Sequence, residues 1–243
     1  EYLNERNEPK FTNIKVLNDT VASLFAGLTD SNYDAYIGLI VGTGTNMATF
    51  IPADKITKLP VSIQADGLIP VNLESGNFHP PFLTTVDEMV DACSDSRGMQ
   101  RFEKAVSGMY LGEILKSTFP LDEFEEKFDA QKLTTIMNYP DIHKEKYVQV
   151  AHWIYNRSAQ LVASSLAGLI SLLVSYNKDI KKVCLVAEGS MFWSLNRNDK
   201  NYNVLVMEEL DILLNELGIG DVKVHVNKMN NANLVGTAIA ALS

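Results

Sequence analysis

Histidine and cysteine are scarce in this sequence, and neither is arranged in the way that metal ligands are. Its 243 residues include two cysteines and four scattered histidines, His79, His143, His152 and His225. Zinc sites need such ligands at short, regular spacings, so we do not expect zinc. Two cysteines fit a reducing compartment, and we expect a cytoplasmic protein. Cys184 lies in the apolar run "KKVCLVAEG", which favours a buried core thiol over a reactive one.

Positive charge is also in short supply. Lys and Arg number 21 against 30 for Asp and Glu, which gives a formal net charge of −9. Nucleic acids and anionic membranes attract clustered Lys and Arg, so we expect neither as a partner. Any bound phosphate is instead expected to contact backbone N–H groups, a metal ion or a few placed side chains.

Low-complexity tracts and repeats are absent, and long apolar runs are few. The composition, 46% hydrophobic and 21% charged, is that of a soluble globular protein. The most apolar run, residues 161–176, is short for a membrane span and is interrupted by serines and a glycine. We predict a buried core helix there, and we also assign the hydrophobic faces around Trp153 and Trp193 to the core.

Hydrophobic periodicity predicts an alternation of strands and helices. The predicted strands cover residues 36–41, 46–51, 68–73, 182–187 and 222–226. The predicted helices cover residues 20–28, 84–93, 99–115, 143–176, 203–217 and 232–242, with a charged surface element or linker at 121–132. Three consecutive strands with short connections are antiparallel by default, and strands separated by helices are parallel. The predicted fold is therefore α/β, with a mixed five-stranded sheet flanked by helices.

A glycine-rich loop joins the first two predicted strands at residues 42–45, Gly-Thr-Gly-Thr. It leads into a strand and lacks Gly-Lys-Ser/Thr, so it is neither a dinucleotide-binding fingerprint nor a P-loop. Two interpretations remain open at this point. The loop is either a tight hairpin with positive-φ glycines, or an anion site built from consecutive N–H groups and the hydroxyls of Thr43 and Thr45.

Three acidic residues are candidates for chemistry, and each also has an ordinary structural explanation. Asp19 begins a predicted helix, where Asp19 or Thr20 can act as the N-cap. Glu74 follows a strand and can be a simple loop residue. Glu103 lies in the first turn of a helix, where the helix dipole favours an acid.

Several segments together resemble the hexokinase family in order and spacing, over nearly the whole chain. The most specific are "RFEK" followed by "SGMYLGEI", and Asn-Asp-Thr followed by Gly-Thr-Gly-X-Asn. The segments are "VLNDTVASLFAG", "IGLIVGTGTNM", "VNLESGNF", "VDEMVDACSDSRGMQRFEKAVSGMYLGEIL" and "VAEGSMFW". The resemblance implies that residues 1–243 form a single domain, the larger lobe of a hexokinase, with a ribonuclease H-like, actin-type fold.

The same resemblance implies an activity and a set of site residues. The activity is ATP-dependent phosphorylation of a hexose, with glucose expected, at the 6-hydroxyl, using ATP and Mg²⁺. Asp19 matches the general base, and no residue of this chain is assigned to the metal. The residues matching sugar ligands are Asn18, Asn46, Glu74 and Glu103. The residues matching ATP ligands are Gly42, Thr43, Gly44, Thr45, Gly108, Gly189 and Ser190.

The chain also departs from the family pattern. The first phosphate loop and the Ser/Thr-Lys loop, which precede Asn-Asp-Thr in the family, have no match, and we expect a portion that needs a missing N-terminal lobe. The substituted positions are Glu188 for Asp, Asn231 and Asn233 for glycines, and Ser75 for Trp, whereas Gly236 is kept. Two other functions stay open, a non-catalytic sugar sensor or regulatory module, and an actin-like ATPase.

Overall fold

The computed structural model describes residue 14 and residues 16–59, 67–125 and 128–242. Its strands are β1 (Ala35–Val41), β2 (Thr45–Pro52), β3 (Leu68–Asn72), β4 (Lys182–Glu188) and β5 (Lys223–Asn227). Its helices are α1 (Asp19–Gly27), α2 (Thr85–Ala92), α3 (Arg101–Val106), α4 (Gly108–Thr118), α5 (Ala130–Asn138), α6 (Glu145–Tyr176), α7 (Tyr202–Glu216) and α8 (Ala232–Leu242).

The strands form one mixed sheet in the order β3-β2-β1-β4-β5. β1 pairs antiparallel with β2, and β2 with β3, whereas β1, β4 and β5 are parallel neighbours. The predicted antiparallel hairpins and parallel crossovers are confirmed. Pro70 lies in the edge strand β3, opposite Phe50. An edge strand tolerates proline because its missing N–H need not complete a ladder.

The long helix α6 forms much of the core beside the sheet. It has 32 residues, and by length and composition it could cross a membrane, yet 56% of its most apolar window is buried within this fold. Burial of that kind is typical of a core helix. Tyr155 of α6 and Tyr202 of α7 are fully buried, with ring centroids 5.2 Å apart, and Ser158 Oγ lies 2.7 Å from the Tyr202 hydroxyl.

The predicted helix at residues 99–115 is two helices. Ser107 is extended, with φ −84° and ψ 155°, and separates α3 from α4. The break follows from a distant contact, since the N–H of Gly108 donates to the backbone oxygen of Gly42 at 2.7 Å. An uninterrupted helix would need that N–H for its own i−4 bond.

Three further expectations are corrected by the structure. The N-cap of α1 is Asn18, not Asp19 or Thr20, since its Oδ1 accepts the N–H groups of Thr20 and Val21. The segment at 121–132, expected to be a charged surface element or linker, contains the start of α5, which is capped by the Asp129 side chain. Trp153 is 55% exposed and so lies outside the core, in contrast to the partly buried Trp193.

Helices α1 and α8 pack closely where Gly236 faces α1. A Cβ at this position would lie 1.7 Å from the backbone oxygen of Ala22. Gly236→Ala is therefore expected to destabilise the fold by about 1–3 kcal/mol, the usual cost of overpacking. Urea unfolding measures this loss. Gly168→Ala in α6, where no atom beyond the neighbouring backbone of the same helix lies within 4 Å of the added Cβ, is the matched control and should be neutral or stabilising. Equal effects at both positions would contradict the packing argument.

Candidate active site

The start of α1 lies at the carboxyl ends of the parallel strands β1 and β4. Gly27, the last residue of α1, packs on Tyr36 near the start of β1, whereas the Ser23 hydroxyl lies 2.8 Å from Glu188 at the end of β4. The first turn of α1, which carries Asp19, therefore lies towards that end of the sheet, with the backbone oxygen of Thr20 packed on Gly38 of β1. In open α/β sheets, ligands bind in the crevice at this edge.

Asn18 and Asp19 are both exposed at this edge. Asp19 Oδ1 accepts the N–H of Thr20 at 2.8 Å, which fixes the carboxylate at the start of the helix. Asn18 uses its side-chain oxygen for the cap, and this leaves its NH₂ group as the donor available to a ligand. The observed N-cap, Asn18, and the predicted functional acid, Asp19, are thus two neighbouring residues.

A chain of hydrogen bonds connects Asn46 to Glu74. Asn46 Nδ2 donates to Asn72 Oδ1 at 2.7 Å, and Asn72 Nδ2 donates to Glu74 Oε1 at 2.7 Å. Asn46 Oδ1 accepts the N–H of Ser75 at 3.1 Å, and Glu74 has a left-handed φ of 48°. Asn72 was not among the residues predicted from the sequence. Its position two residues before Glu74, on the same face of an extended segment, was the available signal.

Glu103 joins this cluster to the glycine-rich loop. It lies in the first turn of α3, and its Oε2 accepts the N–H of Thr45 at 2.9 Å. Thr45 Oγ1 donates to the backbone oxygen of Ile40, so this hydroxyl supports the hairpin. Since Asn46 follows Thr45 directly, the structure brings the predicted sugar ligands Asn46, Glu74 and Glu103 together.

Buried charges hold α3 in place. Asp91 of α2 accepts Lys104 Nζ at 2.7 Å, Arg101 Nη1 at 2.8 Å and the N–H of Gly98 at 3.0 Å. Arg101, Lys104 and Asp91 are all nearly inaccessible to solvent. Burial by itself would raise the pKa of Asp91, but the hydrogen bonds from Lys104 and Gly98 and the two cationic charges outweigh it and lower the pKa. These contacts flank Glu103 on the same helix.

The glycine-rich loop is a tight hairpin, but not for the expected reason. Neither Gly42 nor Gly44 has a positive φ, so that part of the prediction is wrong. Instead, glycine is favoured at both positions because other groups approach the backbone closely. A Cβ on Gly44 would lie 2.5 Å from the Glu103 carboxylate, and one on Gly42 would lie 3.3 Å from the Cα of Gly189. Gly189 itself has a φ of 105° and faces the backbone oxygen of Val41.

A cavity of about 620 Å³ lies beside this loop. It is bordered by the loop, by the first turns of α4 and α5 and by the turn after β4. Lining residues include Gly42, Thr43, Gly108, Ala130, Gln131 and Ser190. Most N–H groups at the two helix starts already have partners, since those of Gly108 and Met109 donate to the backbone oxygens of Gly42 and Thr43, and those of Gln131 and Lys132 donate to Asp129 Oδ1. Of the predicted ATP ligands, Gly44, Thr45 and Gly189 shape the loop and turn behind the cavity, and Gly42, Thr43, Gly108 and Ser190 line it.

Two hydroxyls within the site are buried without a partner. Among the residues that the structure describes, neither Ser75 Oγ nor Ser107 Oγ has a hydrogen-bond partner. Ser75 follows Glu74, and Ser107 precedes Gly108 at the cavity. A buried hydroxyl without a partner costs free energy, so both are positions where water or a ligand can compensate.

The departures from the family pattern have structural compensations. Asn231 adopts a φ of 57°, the left-handed conformation that asparagine tolerates better than most residues. Asn233 and Glu188 both contact the hydroxyl of Ser23 at 2.8 Å. Cys184 is fully buried in β4, so it is a core thiol as predicted. This burial raises its pKa to about 11. Over the described ranges, no three His, Cys, Asp or Glu side chains converge as metal ligands do.

The chain is similar in sequence to known proteins. The hexokinase family model matches residues 36–135 and 121–243. The chain is 42% identical over 233 residues to the chloroplastic hexokinase-2 of Nicotiana tabacum, covering 78% of this chain and 46% of that relative. It is 36% identical over 167 residues to hexokinase-7 of Oryza sativa subsp. japonica, and the match covers 65% of this chain and 34% of that relative.

Solved structures share the fold. A hexokinase crystal structure aligns with a TM-score of 0.76 at 25% identity, covering 95% of this chain and 55% of that one. The Schistosoma mansoni hexokinase complexed with glucose aligns with a TM-score of 0.71 at 22% identity, and the alignment covers 99% of this chain and 60% of that one. The expected actin-type α/β fold is confirmed. The chain spans about a third to a half of the curated relatives named above. The chain belongs to the hexokinase family.

Proposed function

We propose that this chain carries the general base, the sugar ligands and a phosphate loop of an ATP-dependent hexose 6-phosphotransferase, with glucose as the preferred sugar. One observation supports this most directly. Asn46, which is linked to Glu74 through Asn72, and Glu103, which accepts the N–H of Thr45, lie beside a glycine loop, Gly42–Gly44, that borders a cavity of about 620 Å³. A sugar bound by Asn46, Glu74 and Glu103 would therefore lie next to a nucleotide bound in the cavity.

Asp19 is proposed to accept the proton of the sugar 6-hydroxyl as its oxygen attacks the γ-phosphorus of ATP. The bond from that phosphorus to the β,γ-bridging oxygen then breaks, and ADP leaves. A positioned general base typically contributes about 10²–10⁴ in rate, and most of the remainder comes from orientation and charge stabilisation. Asp19 suits the role of general base because its side chain is exposed to a substrate and its Oδ1 is held by the N–H of Thr20.

The sugar ligands are proposed to be Asn18, Asn46, Glu74 and Glu103. A sugar hydroxyl both donates and accepts, and amide and carboxylate side chains together supply both functions. A site that pairs hydroxyls discriminates strongly against analogues that lack them. The link through Asn72 fixes the Glu74 carboxylate relative to Asn46, and so preorganises part of this set.

MgATP is proposed as the second substrate, in the cavity bordered by Gly42, Thr43, Gly108 and Ser190. Proteins usually hold Mg²⁺ through one or two carboxylates together with substrate phosphates, so the ion is proposed to arrive with the nucleotide. We further propose a complementary N-terminal lobe as a partner, which supplies the first phosphate loop and closes over the sugar.

A sugar sensor without catalysis is the second candidate. The substitutions at the nucleotide end, Glu188, Asn231 and Asn233, favour it, because they leave the proposed sugar ligands unchanged while altering the nucleotide side. Such a protein would bind glucose and form no product.

Measurements of glucose binding and of turnover distinguish the enzyme from the sensor. The variant Glu74→Gln tests the proposed sugar site in either case. We expect the protein, together with the proposed N-terminal lobe, to bind glucose in calorimetry and to form glucose 6-phosphate from MgATP. Glu74→Gln is expected to raise the glucose dissociation constant by about tenfold or more, since a hydrogen bond to a charged group contributes about 1.5–3 kcal/mol. Glu216→Gln, at the exposed end of α7, is the control. Binding without product would support the sensor, and the absence of both would overturn the proposed function.

A further inference from the structure

Ser23 is a buried hydroxyl surrounded by more acceptors than it can serve. Its side chain is fully buried in α1, and its Oγ lies 2.8 Å from Glu188 Oε2, 2.8 Å from Asn233 Oδ1 and 3.2 Å from the backbone oxygen of Asp19. A hydroxyl donates one proton and accepts through two lone pairs. Carboxylate and carbonyl oxygens only accept. The two ends of the Asn233 amide are similar in shape, and only its NH₂ end gives Ser23 a donor.

The consequence is a directed chain of hydrogen bonds. Asn233 Nδ2 donates to Ser23 Oγ, which is then free to donate its own proton to Glu188 Oε2. The chain joins α8, α1 and the end of β4, three elements that are far apart in sequence. A buried polar network fixes the geometry of its members when every group in it is satisfied.

The chain connects two parts of the proposed site. Glu188 is the last residue of β4 and directly precedes Gly189 and the cavity residue Ser190. Ser23 lies one helical turn after Asp19 in α1. The hydrogen bonds thus join the wall of the nucleotide cavity to the helix that carries the proposed base.

We propose that Glu188 is a positioning residue that holds α1, and with it Asp19, against the Gly189 turn through Ser23. This inference rests on the proposed function and gives Ser23, Glu188 and Asn233 a role in it. The property that matters is the reach of the side chain rather than its charge, since aspartate is one methylene shorter than glutamate. A displacement of about 1 Å in a catalytic group can cost about 10²-fold in rate.

Two substitutions of Glu188 distinguish the effect of its side-chain length from the effect of its negative charge. Glu188→Gln keeps the length, and its amide can donate to Ser23, which then donates to Asn233 Oδ1, so the chain re-forms in the opposite direction. Glu188→Asp keeps the charge but loses the reach. We expect Glu188→Asp and Ser23→Ala to lower kcat about 10- to 100-fold with little change in KM for glucose, and Glu188→Gln to stay within about threefold of wild type. The opposite ranking of the two Glu188 variants would show that charge matters and would overturn the proposal.

Hydrogen–deuterium exchange tests the positioning without catalysis. Amide protons of α1 are expected to exchange faster in Glu188→Asp and Ser23→Ala than in wild type and Glu188→Gln. Ser164→Ala, at an exposed serine of α6, is the control and should leave α1 unchanged. The double variant Ser23→Ala with Glu188→Asp should exchange no faster than either single variant, because both remove the same link.

Each outcome of these two arms has a defined meaning. Unchanged exchange in α1, or faster exchange with unchanged kcat, would overturn the positioning role of Glu188. Additive effects in the double variant would show two separate interactions and would also overturn it. If the wild-type protein transfers no phosphoryl group, the proposed function fails, and the exchange pattern alone then decides whether Glu188 holds α1.

Discussion

Asp19→Asn is expected to lower kcat for hexose phosphorylation by about 10²–10⁴-fold while glucose binding persists. Asparagine keeps the shape of the side chain, and its oxygen can still accept the N–H of Thr20, so the start of α1 is retained. What is lost is the group that takes the proton of the sugar hydroxyl. Steady-state kinetics with MgATP and calorimetry with glucose measure the two effects separately.

The control for this experiment is Asp179→Asn, at an exposed aspartate that precedes β4 at the opposite end of the sheet. It makes the same chemical change away from the crevice, and we expect no loss of kcat. A wild-type kcat in Asp19→Asn would remove Asp19 from the role of base. An equal loss of glucose binding and turnover would instead identify it as a sugar ligand.

Asp91→Ala is expected to destabilise the fold by about 3–5 kcal/mol, the cost of removing one partner from a buried ion pair. The buried Lys104 ammonium and Arg101 guanidinium lose the Asp91 carboxylate, and they keep the backbone oxygen of Ser96 and the more exposed Glu88, respectively. The substitution also removes the acceptor for the N–H of Gly98. Urea unfolding, with comparison of the midpoints and slopes, measures the loss.

The pH dependence of stability gives a second readout of Asp91. Its pKa is lowered from the ordinary value of 3.8, so the folded state binds this proton less readily than the unfolded state. The stabilisation is therefore fully present above about pH 4 and is lost as the pH falls through the lower folded value. Asp91→Ala should lack this component of acid destabilisation.

The matched control for Asp91→Ala is Asp221→Ala, which breaks the pair with Lys181 on the surface. Exposed ion pairs contribute little, because water and salt screen them, so no measurable change is expected. If Asp91→Ala proved no more destabilising than Asp221→Ala, the buried charges around α3 would not hold it in place.

Local patterns were sufficient for the strands and for most helices. Each predicted strand lies within two residues of an observed one, because periodicity and short connections act between near neighbours. The exceptions have distant causes. The break at Ser107 depends on the bond from Gly108 to Gly42, and α5 begins within a charged segment that suggested a linker. The exposure of Trp153 likewise depends on which face of α6 the rest of the fold covers.

The candidate site divides in a similar way. The order and spacing of the motifs predicted Asp19, Asn46, Glu74 and Glu103 as one site. The structure brings Asn46, Glu74 and Glu103 together, and the functional role of all four residues remains a prediction. Some residues that contact the predicted site residues or their helices were not visible in the sequence. The i, i+2 spacing to Glu74 was a local signal for Asn72, whereas no local pattern distinguishes Asp91 or Ser23 from ordinary polar residues.

The sequence by itself determined the order of strands and helices, the mixed sheet and the kind of chemistry its motifs resemble. These properties depend on periodicity, turn residues and residue type, which act over a few neighbouring positions. Only the tertiary structure decided why the loop glycines are needed, where α3 ends and which buried groups hold α3 and its Glu103. Those outcomes depend on close approaches between distant segments, because hydrogen bonds and packing are set by distances in space rather than by separation along the chain.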